Sequence, residues 1–310
     1  MRPVIRCFFA RALAAAALMF AAGGQSAAQS PAPPYPPPGI LVDVGGHRVH
    51  LYCTGEGNPA VIIVGGGFSF DWSLVQSAVA KHTRVCTYDA SGTAWSDSGP
   101  LLDCADRVNE VHSLLSKAEV KGPYVLVGLS IGALVARLYA DQHASDVAGI
   151  VLVDHAFLDT AIRNASPAAI PGLDSPPVLI SQTPIVLTVE ETSDFDKLPQ
   201  RAKELHRWAV SLHPALPTVE TAQDCLFHLK KNDPALIQLR SLPLAVVSTA
   251  NDQPKYKKLQ SELLALSQRS QQFMADRSFH SVEIDQPEVV VDAIRLVVEM
   301  VRSSKATERP

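Results

Sequence analysis

The sequence of 310 residues is poor in aromatic residues (6%) and in charged residues (19%), and its basic residues do not cluster. The formal net charge is −4. A protein that binds DNA or RNA carries a basic patch for the phosphate backbone, so nucleic acid is not an expected partner. Hydrophobic residues make up 47% of the chain. This composition excludes collagen-like, coiled-coil and wholly disordered classes and leaves a compact globular protein.

The sequence also lacks the motifs of metal and nucleotide sites. No C-x-x-C pair occurs among the five cysteines, so a structural zinc site is not expected. The run Gly65-Gly66-Gly67 has neither the Lys-Ser/Thr of a P-loop nor the spacing of a dinucleotide fingerprint. His206 and His213 share a face of a predicted helix, but two histidines supply too few metal ligands. We therefore expect no metal and no organic cofactor.

The N-terminal apolar run is too short to span a membrane. It covers eleven residues, 12–22, whereas a spanning helix needs about 20. Three arginines precede it, and the small residues Ser26-Ala27-Ala28 follow it, as at a signal-peptidase cleavage site. We predict a signal peptide over residues 1–28 and an exported protein, periplasmic or secreted, with no stable membrane insertion after cleavage. The alternative is an uncleaved anchor.

Downstream of this segment, the pattern predicts one α/β core with an insertion. Residues 29–38 are rich in proline and are predicted to form a tether. Strand and helix patterns then alternate over residues 39–154 and resume over 241–310, which indicates a mostly parallel sheet with helices on both faces. The alternation of strand and helix patterns stops over residues 155–240, which are predicted to form a helical cap.

The apolar patterns give bounds for most elements of this core. The predicted strands cover residues 40–44, 47–53, 60–64, 84–88, 124–129, 149–153, 244–249 and 272–275. The predicted helices cover residues 71–81, 104–118, 130–142, 198–212, 219–231, 256–270 and 287–302.

The motif G-x-S-x-G, formed by Gly128, Ser130 and Gly132, lies between a predicted buried strand and a helix. In that context it predicts a sharp turn that presents the serine hydroxyl at the carboxyl edge of the sheet. A serine there can act as a nucleophile, with the helix behind it directing backbone N–H groups at a developing oxyanion. The alternative is a serine that only caps the helix.

A serine nucleophile needs a base, and the base needs an acid that orients it. His280 follows the last predicted strand, where the chain order Ser, acid, His places the base. Asp252 lies just past the strand 244–249 and is the preferred acid. Asp154, at the end of the strand 149–153, is the alternative. The competing interpretations are a surface histidine and aspartates that cap turns or helices.

The oxyanion of such a reaction needs two backbone donors. One is the N–H of Ile131, directly after the predicted nucleophile. The other is expected from the glycine run after the third strand, as the N–H of Gly67 or of Phe68.

These residues together resemble the α/β-hydrolase superfamily over roughly residues 40–303, and most of all its exported bacterial members. The similar motifs include Leu51-Tyr-Cys-Thr-Gly, Arg84-Val-Cys-Thr-Tyr-Asp, Val125-Leu-Val-Gly-Leu-Ser-Ile-Gly, Val151-Leu-Val-Asp-His and Gln286-Pro-Glu-Val. The resemblance implies an eight-stranded sheet and a Ser-His-Asp triad. It also implies disulfides Cys53–Cys86 and Cys104–Cys225.

The chain departs from the family pattern at three places. Ala90 replaces the usual arginine after Asp89, Leu129 replaces a common histidine, and Ala133 replaces a common second glycine. None of the three removes a triad residue.

The expected activity is hydrolysis of a small-molecule carboxylic ester through an acyl-enzyme. The alternatives on the same fold are an acyltransferase, a peptidase acting on small peptides, and a protein that binds a ligand without turnover.

Overall fold

The computed structural model describes residues 32–99, 103–154, 193–212, 224–225, 228–229, 239, 241–250 and 254–307. Four predictions lie outside these residues wholly or in large part. They are the signal peptide 1–28, the acid Asp252, His213, and most of the cap 155–240 with its helix 219–231.

Eight strands of the described chain form one sheet. Their bounds are β1 Ile40–Asp43, β2 Arg48–Thr54, β3 Val61–Ile63, β4 Val85–Asp89, β5 Tyr124–Leu129, β6 Val147–Val153, β7 Leu244–Thr249 and β8 Ser270–Ala275. Their order across the sheet is β1-β2-β4-β3-β5-β6-β7-β8. Strands β3 to β8 run parallel, whereas β2 pairs antiparallel with both β1 and β4. The predicted eight-stranded, mostly parallel sheet is confirmed.

The helices lie on both faces of this sheet. Those with described bounds are α1 Ser73–Val79, α2 Cys104–Lys117, α3 Ile131–Gln142, α4 Gln200–Leu212, α5 Pro254–Leu264, α6 Val282–Asp285 and α7 Pro287–Thr307. Strand β5 shows why both faces are covered. Val125 and Val127 pack with α1 and α7 on one face, whereas Tyr124 and Leu126 pack with α2, α3 and α5 on the other. A strand buried on both faces is apolar throughout, as this sequence is.

One predicted helix ends earlier than expected, and one short helix was not predicted. The helix predicted over residues 256–270 ends at Leu264, because Ser270 already pairs with Leu244 as the first residue of β8. The short helix α6 was not predicted, since four residues carry no helical periodicity.

Both disulfides implied by the family resemblance are present. Cys53 and Cys86 are direct cross-strand partners on β2 and β4. Cys104, the first residue of α2, is bonded to Cys225, 121 residues further along the chain.

The described part of the predicted tether, residues 32–38, contains neither helix nor strand. It lies against α4. The Tyr35 hydroxyl donates a hydrogen bond to Glu204, and the guanidinium of Arg201 lies 4.8 Å from the centre of the Tyr35 ring. Across the described residues, every helix is too short or too polar to cross a membrane.

Candidate active site

Ser130 occupies the sharp turn between β5 and α3, in a strained backbone conformation with φ 55° and ψ −118°. The flanking glycines make this turn possible. A Cβ atom on Gly128 would lie 2.2 Å from the carbonyl oxygen of Gly132, and one on Gly132 would lie 2.7 Å from the carbonyl carbon of Gly65. Both distances are well inside van der Waals contact. The geometry is that of a serine presented at a sheet edge, with the first turn of α3 behind it.

His280 and Asp154 are hydrogen-bonded at the same edge of the sheet. The His280 Nδ1 atom lies 2.6 Å from Asp154 Oδ2. Asp154 directly follows β6 and Ser130 directly follows β5, and these strands are register partners up to Leu129 and Val153. The Ser130 N–H donates to the Val153 carbonyl over 3.0 Å. The Ser130 turn and Asp154 therefore come from neighbouring strand ends, and His280 comes from the segment between β8 and α6.

Asp154 is fully buried, and the second oxygen of its carboxylate also accepts hydrogen bonds. The Tyr256 hydroxyl donates to Oδ1 over 2.8 Å, and the Thr249 hydroxyl donates to it over 3.1 Å. Burial raises the pKa of the Asp154 carboxyl above its ordinary value, and the hydrogen bonds from His280, Tyr256 and Thr249 oppose that rise.

The alternative acid of the sequence analysis is thus the one that contacts His280. The preferred acid, Asp252, lies outside the described residues. The chain order Ser, acid, His allows either Asp154 or Asp252, because β6 and β7 are neighbours and both end at this edge. Thr249 and Tyr256 were not predicted to take part, although Thr249 is the last residue of β7 and therefore faces the same edge.

The glycine run forms a loop against the nucleophile turn. Gly65, Gly66 and Gly67 all have positive φ, of 117°, 89° and 108°. A Cβ atom on Gly66 would lie 2.5 Å from the Leu129 Cβ atom, so only glycine allows this approach. We call residues 65–68 the oxyanion loop, after the role that the sequence predicts for them.

The structure distinguishes the two donors predicted in this loop. The Phe68 N–H donates to Asp71 Oδ2 over 2.9 Å and is therefore occupied. Among the described residues, the N–H of Gly67 donates no hydrogen bond. The N–H of Ile131 is the first amide of α3 and has no partner within the helix. The loop therefore leaves Gly67, rather than Phe68, able to pair with Ile131 around an oxyanion.

Two buried aspartates that were not predicted hold this region together. Asp71 accepts from Phe68 and also from His206 on α4, whose Nδ1 atom lies 2.8 Å from Asp71 Oδ1. Asp89, at the end of β4, accepts from the Ser69 N–H over 2.8 Å and from His50 Nδ1 over 2.7 Å. A local signal existed for Asp71, because an aspartate three residues after Phe68 can accept its amide. No local signal pairs it with His206.

Glu283 on α6 is a buried acid close to the same edge. It is 1% exposed, and among the described residues its Oε2 atom has no hydrogen-bond partner. Burial raises the pKa of the Glu283 carboxyl well above its usual value, and the negative charges of Asp71, Asp285 and Asp154 raise it further. The Glu283 carboxyl therefore keeps its proton to a higher pH than an exposed glutamate does.

Two groups of described side chains combine the residue types of a metal site: His112 with His143 and Asp146, and Asp103 with Asp224 and His228. In the first group the imidazole rings are stacked, 3.9 Å apart and 3° from parallel. The lone pairs of parallel rings do not converge on one point. His143 also lies at the end of α3 opposite to Ser130, about 20 Å away at 1.5 Å per residue.

Sequence comparison shows which known proteins this chain resembles. Residues 60–293 match the profile of the alpha/beta hydrolase family. Protein YqjL of Bacillus subtilis (strain 168) is 27% identical over 250 residues, which are 77% of this chain and 84% of that protein. The chain spans 27% of the length of a Schizosaccharomyces pombe protein to which it is 31% identical over 144 residues.

Solved structures show the same fold. A thermophilic esterase from Thermogutta terrifontis is 18% identical and superimposes with a TM-score of 0.59 over 84% of this chain and 98% of the esterase. The enol-lactonase from Burkholderia xenovorans LB400 is 15% identical, with a TM-score of 0.56 over 84% of this chain and all of that one (100%). With the match to the family profile, these similarities establish that the chain belongs to the alpha/beta hydrolase family.

Proposed function

We propose that this protein is a serine hydrolase that cleaves a small-molecule carboxylic ester, with Ser130 as nucleophile, His280 as base and Asp154 as the acid that orients it. The observation that carries the proposal is the 2.6 Å bond between His280 and Asp154 at the sheet edge that presents the strained Ser130 turn. This is the arrangement of roles that activates a serine hydroxyl on this type of sheet.

The protonation states follow from the hydrogen bonds. The ionised Asp154 carboxylate can only accept, so Nδ1 of His280 carries a proton and Nε2 offers a lone pair. As the Ser130 Oγ atom attacks the ester carbonyl carbon, its proton passes to Nε2. The carbonyl oxygen becomes an oxyanion, which the N–H groups of Gly67 and Ile131 stabilise.

The second half of the reaction regenerates the serine. The tetrahedral intermediate collapses, the bond to the alcohol breaks, and the His280 proton passes to the leaving alkoxide. Water then attacks the acyl-enzyme and gives its proton to His280. The carboxylic acid leaves, and the proton returns to Ser130. The net change is one water added across one ester bond, with no cofactor.

Active-site labelling tests the nucleophile. The mature protein is treated with a fluorophosphonate, its intact mass is measured, and the labelled peptide is mapped. We expect one adduct, on Ser130. Ser130→Ala should abolish it. Ser91→Ala is the matched control, because Ser91 also bonds a histidine and a glutamate, His47 and Glu110, but lies on no nucleophile turn. An adduct that survives in Ser130→Ala, or no adduct on folded protein, would refute the proposal.

Product analysis tests the reaction type. Esters of graded acyl length, an enol-lactone and a small peptide amide are offered with and without an added alcohol. We expect ester cleavage to the free acid. Transfer of the acyl group to the added alcohol would identify an acyltransferase, and cleavage of the amide alone would identify a peptidase.

We also propose that the protein is exported after removal of residues 1–28. The two disulfides support this, because such bonds persist in oxidising compartments. Mass measurement of the protein recovered from a bacterial periplasm or culture medium should give a chain that begins at Gln29. Retention of the intact N-terminus in the membrane fraction would instead indicate an anchor.

A further inference from the structure

We infer that the buried Asp71–His206 pair is a positioning device, through which helix α4 holds the oxyanion loop in its catalytic form. The inference rests on the proposed function, because it assigns a task to the Gly67 donor of that loop. Neither residue is placed in contact with substrate. Both act through the backbone of residues 65–68.

The Asp71 carboxylate connects two distant parts of the chain. Its Oδ2 atom accepts from the Phe68 N–H over 2.9 Å, and its Oδ1 atom accepts from His206 Nδ1 over 2.8 Å. His206 is 135 residues further along the chain, on α4. The position of a Cβ atom on Gly67 lies 2.9 Å from Asp71 Oδ2, so the loop backbone rests directly on the carboxylate.

Water is excluded from this connection. Asp71 is 0% exposed and His206 is 2% exposed. Aromatic rings surround the imidazole: those of Phe68 and Phe195 lie edge-on, with centres 5.7 Å and 5.1 Å away. Hydrogen bonds in such surroundings are strong, and a carboxylate that loses one partner there is left with an unsatisfied oxygen. The carboxylate would then shift toward other donors and take the Phe68 amide with it.

A shift of the Phe68 amide displaces the neighbouring Gly67 amide. An oxyanion donor works only when it lies about 2.7–3.1 Å from the oxygen in the transition state. A loop displaced by about 1 Å therefore weakens transition-state binding much more than substrate binding. Loss of the pair should lower kcat and leave KM nearly unchanged.

Substitutions at His206 test this. His206→Asn places an amide N–H at the position of Nδ1 and keeps the bond to Asp71. His206→Phe keeps a ring but removes the donor. Ser211→Ala is the control, because Ser211 is an exposed residue of the same helix. For His206→Phe we expect kcat to fall between about tenfold and 100-fold, a part of the loss that follows removal of a whole oxyanion donor. KM should change less than about threefold.

His206→Asn should restore most of the lost kcat, and Ser211→Ala should match the wild type. A rise in KM at unchanged kcat would show that His206 contacts substrate instead. An equal loss of kcat in His206→Asn and His206→Phe would overturn the positioning role, because restoring the N–H donor to Asp71 would then restore no activity. If His206→Phe does not fold, His206→Gln replaces it. The glutamine amide lies one atom further out, at the Nε2 position, so the kcat of His206→Gln should be lower than that of His206→Asn.

Hydrogen exchange separates this inference from the proposed function. The peptide covering residues 65–70 is followed by mass spectrometry in the wild type, His206→Phe and Ser211→Ala. We expect faster exchange in His206→Phe alone, because the Phe68 amide loses its fixed acceptor. Should the wild type fail to react with fluorophosphonate, the ester hydrolase proposal falls, but this measurement still tests the pair. Unchanged exchange in His206→Phe overturns the positioning role.

Discussion

At the scale of single residues, the proposed triad depends most on which aspartate orients His280. Asp154 and Asp252 follow neighbouring strands of one sheet, so chain order does not distinguish them. Asp154 is fully buried, accepts hydrogen bonds from His280, Tyr256 and Thr249, and has a positive φ of 41°. A buried carboxylate with three hydrogen-bond partners can hold the His280 imidazole in one tautomer and one orientation.

Replacing this acid should therefore abolish most of the activity. Asp154→Asn keeps the shape of the side chain, but its amide favours the wrong tautomer of His280, and we expect kcat to fall about 10⁴-fold. Steady-state kinetics with a reactive ester measures the loss. Asp252→Asn is the matched control and should keep kcat within about threefold of the wild type. The reverse pattern, with loss only in Asp252→Asn, would restore Asp252 as the acid.

Glu283 gives a second residue-scale prediction, on stability. Its folded-state pKa is raised well above the usual value of 4.5, so folding takes up a proton at any pH between those two values. Stability from this group is fully present below about pH 4.5 and is lost as the pH rises toward the folded pKa. Glu283→Gln has no proton to take up. It should be more stable than the wild type at pH 8, by an amount that shrinks toward pH 4.

Thermal unfolding at pH 4, 6 and 8 checks this, and the difference should change by up to about 1.4 kcal/mol per pH unit within that window. Glu262→Gln is the control, because Glu262 is exposed on α5 and surface substitutions change stability by about 0.5 kcal/mol or less. A stability gain of the same size at every pH would contradict the raised pKa of Glu283.

At the scale of elements, the nucleophile turn and the oxyanion loop form one packed unit. Gly132, the second residue of α3, lies against Gly65, and Gly66 lies against Leu129, so the loop after β3 and the turn after β5 approach closely. Parallel pairing of β3 with β5 brings their ends together. The glycines are therefore required by the contact between two elements, in addition to the turn itself.

This contact predicts the effect of one added methyl group. In Gly132→Ala the Cβ atom would lie 2.7 Å from the Gly65 carbonyl carbon and oxygen, which are backbone atoms that cannot rotate away. We expect a loss of about 1–3 kcal/mol in stability together with lower kcat, because the loop and the turn move apart. Denaturant unfolding and ester kinetics measure both.

The control is Gly45→Ala, at a position with φ 126° where no described residue other than the two chain neighbours has an atom within 4 Å of the new Cβ. Backbone strain there should lower stability slightly and leave kcat unchanged. If Gly132→Ala behaves like Gly45→Ala, the close packing of loop and turn is not required for activity.

At the scale of the whole molecule, the disulfides differ in what they constrain. Cys53–Cys86 links two strands that already pair in the sheet. Cys104–Cys225 joins the start of α2 to a segment 121 residues away, and the Cys104 amide also donates to Asp224 over 2.8 Å. A bond that closes a long loop removes more entropy from the unfolded chain.

Removal of the long-range bond should therefore lower stability strongly. For Cys104→Ser with Cys225→Ser we expect a loss of about 2–5 kcal/mol in the free energy of unfolding, with ester hydrolysis retained below the unfolding transition. Urea titration measures the loss, and a non-reducing peptide map of the wild type should contain both linked peptides. A map without the Cys104–Cys225 peptide would contradict this connectivity.

Local features of the chain specified most of the fold and one part of the site. Strands such as Tyr124–Leu129 are apolar throughout, and Gly128, Ser130 and Gly132 constrain the turn among immediate neighbours, so both can be recognised from adjacent residues. His280 could be proposed because its place after the last strand follows from chain order.

The pairs that organise the site depended on the folded chain. His280 meets Asp154 across 126 residues, and His206 meets Asp71 across 135. Strand order brings several aspartates to one edge, and only the packing around each of them determines which is buried, which is hydrogen-bonded and which histidine it faces. Pairing of polar groups in a water-free interior depends on distances between elements, and no pattern along the chain encodes those distances.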